Sequence, residues 1–323
     1  MERYVLIRPG ALGDALLTFP TLALLRRARP DAYITFVARR DVLALAEASG
    51  LADATAPYDS PAWAALFADE ADGDGDAHQI VAGSAVVAWI ADAVGQVARS
   101  LGRLGAREVV VQPGRPPLDA GEHAALYLAG ALVPLGVSTP DTLGELVDAL
   151  PALRIPASDA AVAEAAWRGL ALPTRQVVVA LHAGSGGAAK RWPPASFTAT
   201  GVALCERGMQ PLLVEGPQDA EVTAAIRAAM GGDELPVVRG LSVGALAALL
   251  GRCACYLGND SGVTHLVALV GTPVVALFGP SDAALWRPLG REGRVLRATT
   301  GDMAAITVAA AVEAMLELLR AGR

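Results

Sequence analysis

Lysine is almost missing from this 323-residue chain: Lys190 stands alone among 26 basic side chains, the other 25 being arginine. Cysteine is scarce as well. Its three copies, Cys205, Cys253 and Cys255, form no CxxC pair and no Cys/His cluster, which argues against a disulfide framework or a zinc site and fits a reducing cytoplasm. Uninterrupted apolar runs of membrane-spanning length are lacking too. The longest apolar stretch, Ile80 to Ala98, is broken by Asp92 and Gln96 and is rich in alanine, so it reads as a buried helix rather than a membrane span. The opening "MERYVLIRPG" has no basic region followed by an apolar stretch and a small-residue cleavage site, so no signal peptide is expected. Positive charge is not in excess: the net charge is −7, with 12 basic and 20 acidic residues in positions 1–160 (−8) and 14 and 13 in positions 161–323 (+1). Such a balance grips a nucleic-acid backbone poorly, so no nucleic-acid partner is expected.

What is present is apolar and periodic. Hydrophobic residues make up 53% and charged residues 18%, ample for large buried cores, and the length corresponds to about two domains. Strand-like runs alternate with helical ones: "YVLI" precedes Gly13–Arg29, "YITFVA" precedes Asp41–Ala48, and "EVVVQ" precedes Glu122–Leu135. A second series starts at "QVVVALHAG" and continues through "QPLLVEG", "CACYLGND" and "TPVVALFGP". Between them, residues 138–158 carry Pro140, Pro151 and Pro156, the mark of a linker. The alternation predicts two α/β domains, each a doubly wound, Rossmann-like parallel sheet, over 1–155 and 156–323. Ligands of such sheets bind outside the carboxyl ends of the strands, so the strand-to-helix loops and a cleft between the domains are the places to look.

Four loops stand out. In "RPGALGDALLTFP", Gly10 and Gly13 bracket a turn after the first strand, as in a phosphate-cradling motif, but Asp14 follows at once. A carboxylate there would repel phosphate; it could accept a proton, or simply cap the helix. In "HAGSGGAAKRWPP", the glycines and Ser185 leave backbone N–H groups free for an anion, and Lys190 adds a compact charge. In "GNDSGVTHLVALVGTPVVALFGPSD", Asp260, Ser261 and Gly262 open a helix whose amino end suits phosphate, with His265 one turn in; Asp260 as a helix cap is the plainer alternative. In "VEGPQDAE", Asp219 and Glu221 stand at a helix start, where a carboxylate can accept ribose hydroxyls or merely favour the helix dipole.

Other readings are weaker. Residues 69–76, "DEADGDGD", place Asp72, Asp74 and Asp76 at alternating positions, yet a calcium loop starting at Asp72 would need Gly and Glu where Ala77 and Gly83 stand. The stretch lacks the strand-end setting of a metal-binding Asp-x-Asp motif and reads as a solvated acidic loop, so no metal site is expected. A nicotinamide-dependent dehydrogenase would want G-x-G-x-x-G at the first turn, where only Gly10 and Gly13 stand before Asp14.

Taken together and in order, these four motifs resemble the ADP-heptose:lipopolysaccharide heptosyltransferases, glycosyltransferase family 9; "EHAALYLAGALVPLG" (122–136) is similar to that family's segment before the interdomain linker, whereas 54–118 shows little similarity. The resemblance implies a GT-B architecture and an inverting, metal-independent transfer with no cofactor beyond a nucleotide-sugar donor, ADP-linked in the family's manner. Donor would bind the C-terminal domain, and a glycan or glycolipid acceptor the N-terminal one. Carried over, Asp14 matches the general base, with Gly10 and Gly13 in the acceptor-side loop. Ser185, Lys190, Asp260, Ser261, Gly262 and His265 fall in the donor phosphate region, and Asp219 matches a ribose contact. Glu215 departs from the glycine often found before "GP". A cytoplasmic protein with peripheral contact at the inner membrane face is implied, with no protein partner. A sugar-nucleotide epimerase of the same architecture and a non-catalytic nucleotide-sugar-binding protein are the alternatives. The charge count adds that the acceptor is less anionic than a phosphorylated lipopolysaccharide core, unless Arg26, Arg27, Arg29, Arg39 and Arg40 form a patch.

Overall fold

Runs of valine, leucine and isoleucine without a polar alternate are what strands covered on both faces require, and they become the strands of two parallel sheets. A computed structural model describes residues 1–67, 75–117, 121–172, 176–232 and 235–322. The chain divides into two units, Met1–Arg154 and Ile155–Arg323.

The first unit has strands β1 (Arg3–Arg8), β2 (Tyr33–Ala38), β3 (Ala54–Pro57), β4 (Ala85–Trp89) and β5 (Glu108–Gln112), paired in parallel in the order β3-β2-β1-β4-β5. Its helices are α1 (Leu12–Leu16), α2 (Phe19–Ala28), α3 (Arg40–Ala48), α4 (Asp76–Val81), α5 (Gln96–Arg103), α6 (Ala124–Gly130) and α7 (Leu143–Asp148). One face of the sheet buries Val5, Ile7, Val37, Val86 and Ala88 against Val97, Leu101 and Leu104.

The second unit has β6 (Val178–His182), β7 (Gln210–Glu215), β8 (Val237–Arg239), β9 (Cys255–Asn259), β10 (Val274–Phe278) and β11 (Gly293–Arg297), all parallel, in the order β11-β10-β9-β6-β7-β8. Around it run α8 (Ala157–Gly169), α9 (Pro194–Cys205), α10 (Ala220–Ala229), α11 (Val243–Leu250), α12 (Gly262–Leu269), α13 (Ala283–Trp286) and α14 (Val308–Ala321). Two apolar layers sandwich the sheet, one on Leu181, Leu257 and Leu277, the other on Ala180, Tyr256 and Phe278. This is the doubly wound order, and it reverses between β6 and β9, so the loops leaving those strands flank the crevice where such sheets bind ligands.

Several expectations change. Ile80–Ala98 is not one buried helix: it holds the end of α4, the fully buried strand β4, a turn and the start of α5. Parallel-sheet strands and buried helices share an apolar composition, and Gly83 with φ +72° ends the helix before β4. The first helix breaks at Leu17–Thr18 into α1 and α2, with Pro20 in the first turn of the second. Gly13 lies within α1 and not in the turn. The 138–158 linker contains α7, capped by Thr142. The short strands β3, β8 and β11, partly exposed, escaped the pattern.

Of the acidic stretch, Asp72 and Asp74 lie outside the described residues and Asp76 opens α4. Among the described residues, no group of three or more His, Cys, Asp or Glu could hold a metal ion, and no helix is long and apolar enough to cross a membrane. The cysteines are free, and burial pushes the thiols of Cys253 and Cys255 up to about 12. The arginine cluster is divided among local acids: Arg26 pairs with Asp53, Arg29 with Glu2, Arg39 with Asp41 and Arg40 with Asp59.

Candidate active site

In the second unit the loop after β6 is ordered by its neighbours. Asn259, wholly buried at the end of β9, accepts from the Trp192 backbone N–H (3.0 Å) and donates to the Ala183 carbonyl (2.9 Å), so one side chain ties both ends of the loop. Arg191 donates to the Ser185 carbonyl, and Ser185 Oγ donates to the Asp260 carbonyl at 2.9 Å. Trp192 is buried edge-on against Phe197 and donates to the Ile306 carbonyl. These bonds hold Lys190 Nζ 2.6 Å from Asp260 Oδ2, with Asp260 buried and Lys190 39% exposed along its side chain. One of three ammonium protons serves that bond, leaving the head group able to donate outward.

Ser261 caps α12, accepting from the Thr264 backbone N–H. The cap is thus Ser261, not Asp260, which frees the Asp260 carboxylate for Lys190. A capped helix start beside a lysine concentrates N–H donors and positive charge, as anion binding requires. His265 is buried one turn further along.

Asp219 is the N-cap residue of α10, 6% exposed, and its Oδ2 accepts from the Gly216 backbone N–H (3.1 Å) and meets His182 Nε2 at 3.2 Å. The hydrogen bond from His182 holds its carboxyl below the usual carboxylate range, against the opposing effect of burial. His182 ends β6 opposite Gly258 of β9, and its Nδ1 faces the Tyr256 hydroxyl.

In the first unit β1 ends in Arg8, whose guanidinium is buried. Its Nη2 donates to the Gly114 carbonyl (2.8 Å) and to Asp14 Oδ1 (3.2 Å), and its Nε to the Asp14 carbonyl. Burial draws the Arg8 guanidinium below its ordinary value, with Asp14 opposing. Asp14, in the first turn of α1, accepts from the Ala11 backbone N–H through Oδ2 (2.9 Å), so it reaches back over the helix start while 17% of its side chain stays exposed. Gly10 makes this possible: its φ is +136°, and a Cβ there would lie 2.9 Å from Asp14 Oδ2.

Comparison with known proteins decides what this arrangement belongs to. Residues 123–313 match the family model described as glycosyltransferase family 9 (heptosyltransferase). The chain belongs to glycosyltransferase family 9. A curated relative, lipopolysaccharide heptosyltransferase 2 of Escherichia coli K12, is 33% identical over 119 residues, 36% of this chain. The chain thus spans only 34%, about a third, of that relative's length in the match. Solved structures cover it nearly whole. A glycosyl transferase family 9 protein from Veillonella parvula superposes with a TM-score of 0.81 at 20% identity over 99% of this chain and 97% of its own. Escherichia coli heptosyltransferase WaaC with ADP gives 0.70 at 19% over 98% and 99%. The two-sheet architecture of this family 9 chain is therefore the GT-B fold.

Within the family 9 chain the structure brings Ser185, Lys190, Asp260, Ser261 and Gly262 together at the β6/β9 switch point, and it couples Asp219 to them through His182 and Tyr256. Sequence reasoning gave no role to Arg8, His182, Tyr256 or Thr264. A polar residue closing an otherwise apolar strand, as in "VVALH", is the signal that marks His182.

Proposed function

We propose that this chain is a glycosyltransferase that moves a sugar from a nucleotide-sugar donor to an acceptor hydroxyl. The donor is ADP-heptose or a close analogue, and the product enters cell-surface glycan, as the names of its relatives suggest. The observation that carries this is the Lys190–Asp260 pair held at 2.6 Å beside the Ser261 cap of α12. That arrangement supplies what a departing nucleoside diphosphate needs: a cation with protons to spare and free helix N–H groups. Asp219 presents its second oxygen to the ribose. Because lysine and helix provide the positive charge, transfer proceeds without a divalent cation. In the other domain Asp14 takes the acceptor's proton as its oxygen attacks the anomeric carbon, with inversion. Arg8 and the Ala11 N–H fix the carboxylate's orientation. The acceptor, a glycan or glycolipid, is less anionic than a phosphorylated lipopolysaccharide core, because four of the five arginines near this domain's start are paired with carboxylates. The enzyme works in the cytoplasm, where nucleotide sugars are the donors, with peripheral contact at the membrane that carries the acceptor.

The test is incubation of the purified protein with ADP-heptose and a panel of glycan acceptors, with and without a chelator. Transfer that survives chelation, with inverted stereochemistry, is expected. Conversion of donor alone into an altered nucleotide sugar would make it an epimerase; tight donor binding with no turnover on any acceptor would make it a binding protein.

A further inference from the structure

A chain of buried polar side chains runs beneath the phosphate-binding helix start, and its protons can be counted. Asp219 is ionised and can only accept, so the proton in the 3.2 Å contact with His182 sits on Nε2. On the other side of the ring, Nδ1 lies 3.2 Å from the Tyr256 hydroxyl and 3.5 Å from Ser261 Oγ. Thr264 Oγ1 lies 3.1 Å from Tyr256 and 3.0 Å from Ser261. The proton of Thr264 is already committed, because its 2.5 Å partner, the Asn259 carbonyl, can only accept.

Two hydroxyl protons, those of Tyr256 and Ser261, therefore serve two acceptors, His182 Nδ1 and Thr264 Oγ1. With a neutral His182 either assignment satisfies both. Water is no standing hydrogen-bond partner for these three, since His182, Tyr256 and Thr264 are 3%, 0% and 1% exposed. The space is built for this chain alone: a Cβ at Gly184 or Gly216 would lie 2.0 or 2.6 Å from Asp219 Oδ2, and one at Gly258 would lie 2.3 Å from the Tyr256 hydroxyl.

A diphosphate on the start of α12 carries only acceptors, and it draws the Ser261 proton outward. One hydroxyl proton then remains for two buried acceptors. A proton added to His182 Nδ1 repairs the deficit: Nδ1–H donates to Tyr256 Oη, Tyr256 donates to Thr264 Oγ1, and Thr264 donates to Asn259. We propose that binding of the nucleotide diphosphate is coupled to uptake of one proton from solvent by His182, which makes it the positioning residue that joins the Asp219 loop to the Ser261 loop. Two anions favour the exchange, the Asp219 carboxylate and the incoming diphosphate, whereas the nearby cations Arg191 and Lys190 oppose it. Asp219 at the start of α10 faces the ring as a carboxylate, Tyr256 of β9 is the other titratable neighbour and burial keeps it neutral, Arg191 acts on Asp219, and Lys190 pairs with Asp260 beyond Ser261. The inference rests on the nucleotide-sugar reading above.

Calorimetry with ADP in buffers of different ionisation enthalpy reads the proton count directly. At about pH 8 ADP itself is fully ionised and contributes little. Wild type should take up protons as ADP binds, to a limit of one per site. Ser261→Ala and Tyr256→Phe each remove one of the two hydroxyl protons before ADP arrives, so binding creates no new deficit and uptake in both should fall towards zero. In parallel, ¹⁵N spectra of the wild-type histidines should show His182 with one protonated ring nitrogen when free and two with ADP, a readout that needs no variant. ADP binding with no proton uptake, uptake unchanged in both variants, or an unchanged His182 signal overturns the proposal while leaving the nucleotide site standing. Failure of ADP to bind wild type overturns both.

Discussion

Replacing Asp14 with asparagine separates chemistry from scaffolding, and the geometry sets the size of both effects. The asparagine Oδ1 can still accept from the Ala11 N–H, a bond of 2.9 Å, so the reach over the start of α1 survives. What is lost is the charge facing Arg8, whose side chain is 4% exposed. One charge-assisted hydrogen bond goes, and the amide NH₂ then opposes the guanidinium. Arg8 keeps the carbonyls of Gly114 and residue 14, so the stability cost is about 1.5–3 kcal/mol, within the margin of an ordinary domain. Loss of a general base costs roughly two to four orders of magnitude in turnover, about 2.7–5.5 kcal/mol of transition-state stabilisation. The assay pairs urea unfolding with transfer kinetics and ADP calorimetry. The expected variant is folded, somewhat less stable, binds ADP as wild type does and barely transfers. A folded Asp14→Asn protein within tenfold of wild-type turnover would refute the base assignment and leave Asp14 as a partner for Arg8 and a helix-start contact.

Lys190→Met keeps the stem and removes the cation, leaving Asp260 without its partner; kcat/KM for the donor should fall by roughly 2–4 kcal/mol, and unchanged kinetics would return Lys190 to a solvated loop. Gly184→Ala places a methyl 2.0 Å from Asp219 Oδ2, which must abandon His182 and Gly216, so unfolding in urea should show a loss of about 2–4 kcal/mol; a change under about 0.5 kcal/mol would mean the loop yields freely. Asp219 has a folded value below its ordinary 3.8, so its contribution to stability is present above that pH and is lost as the pH falls through 3.8 and below. Asp219→Asn should therefore flatten the acid limb of a stability-against-pH curve, and an acid limb identical to wild type would remove Asp219 from the account.

The order of the chain alone determined the parallel α/β class, the two-domain division and the grouping of Asp260, Ser261 and Gly262, because strand end, cap and helix start follow one another and their physics is local. Composition could not divide Ile80–Ala98 into strand and helix, since a strand covered on both faces and a buried helix use the same residues. Only tertiary structure decided which polar groups meet. His182 finds Asp219 across 37 positions and Tyr256 across 74, because β6 lies beside β9 in a register that sets His182 opposite Gly258. Arg8 finds the Gly114 carbonyl across 106 positions, where any side chain in place of that glycine would strike the guanidinium. Asp14 looked in sequence like either a base or a cap; in the fold it reaches back to the Ala11 N–H while facing a buried arginine. Its second partner comes from the end of β1, brought over it by the turn at Gly10, and no local pattern specifies that approach.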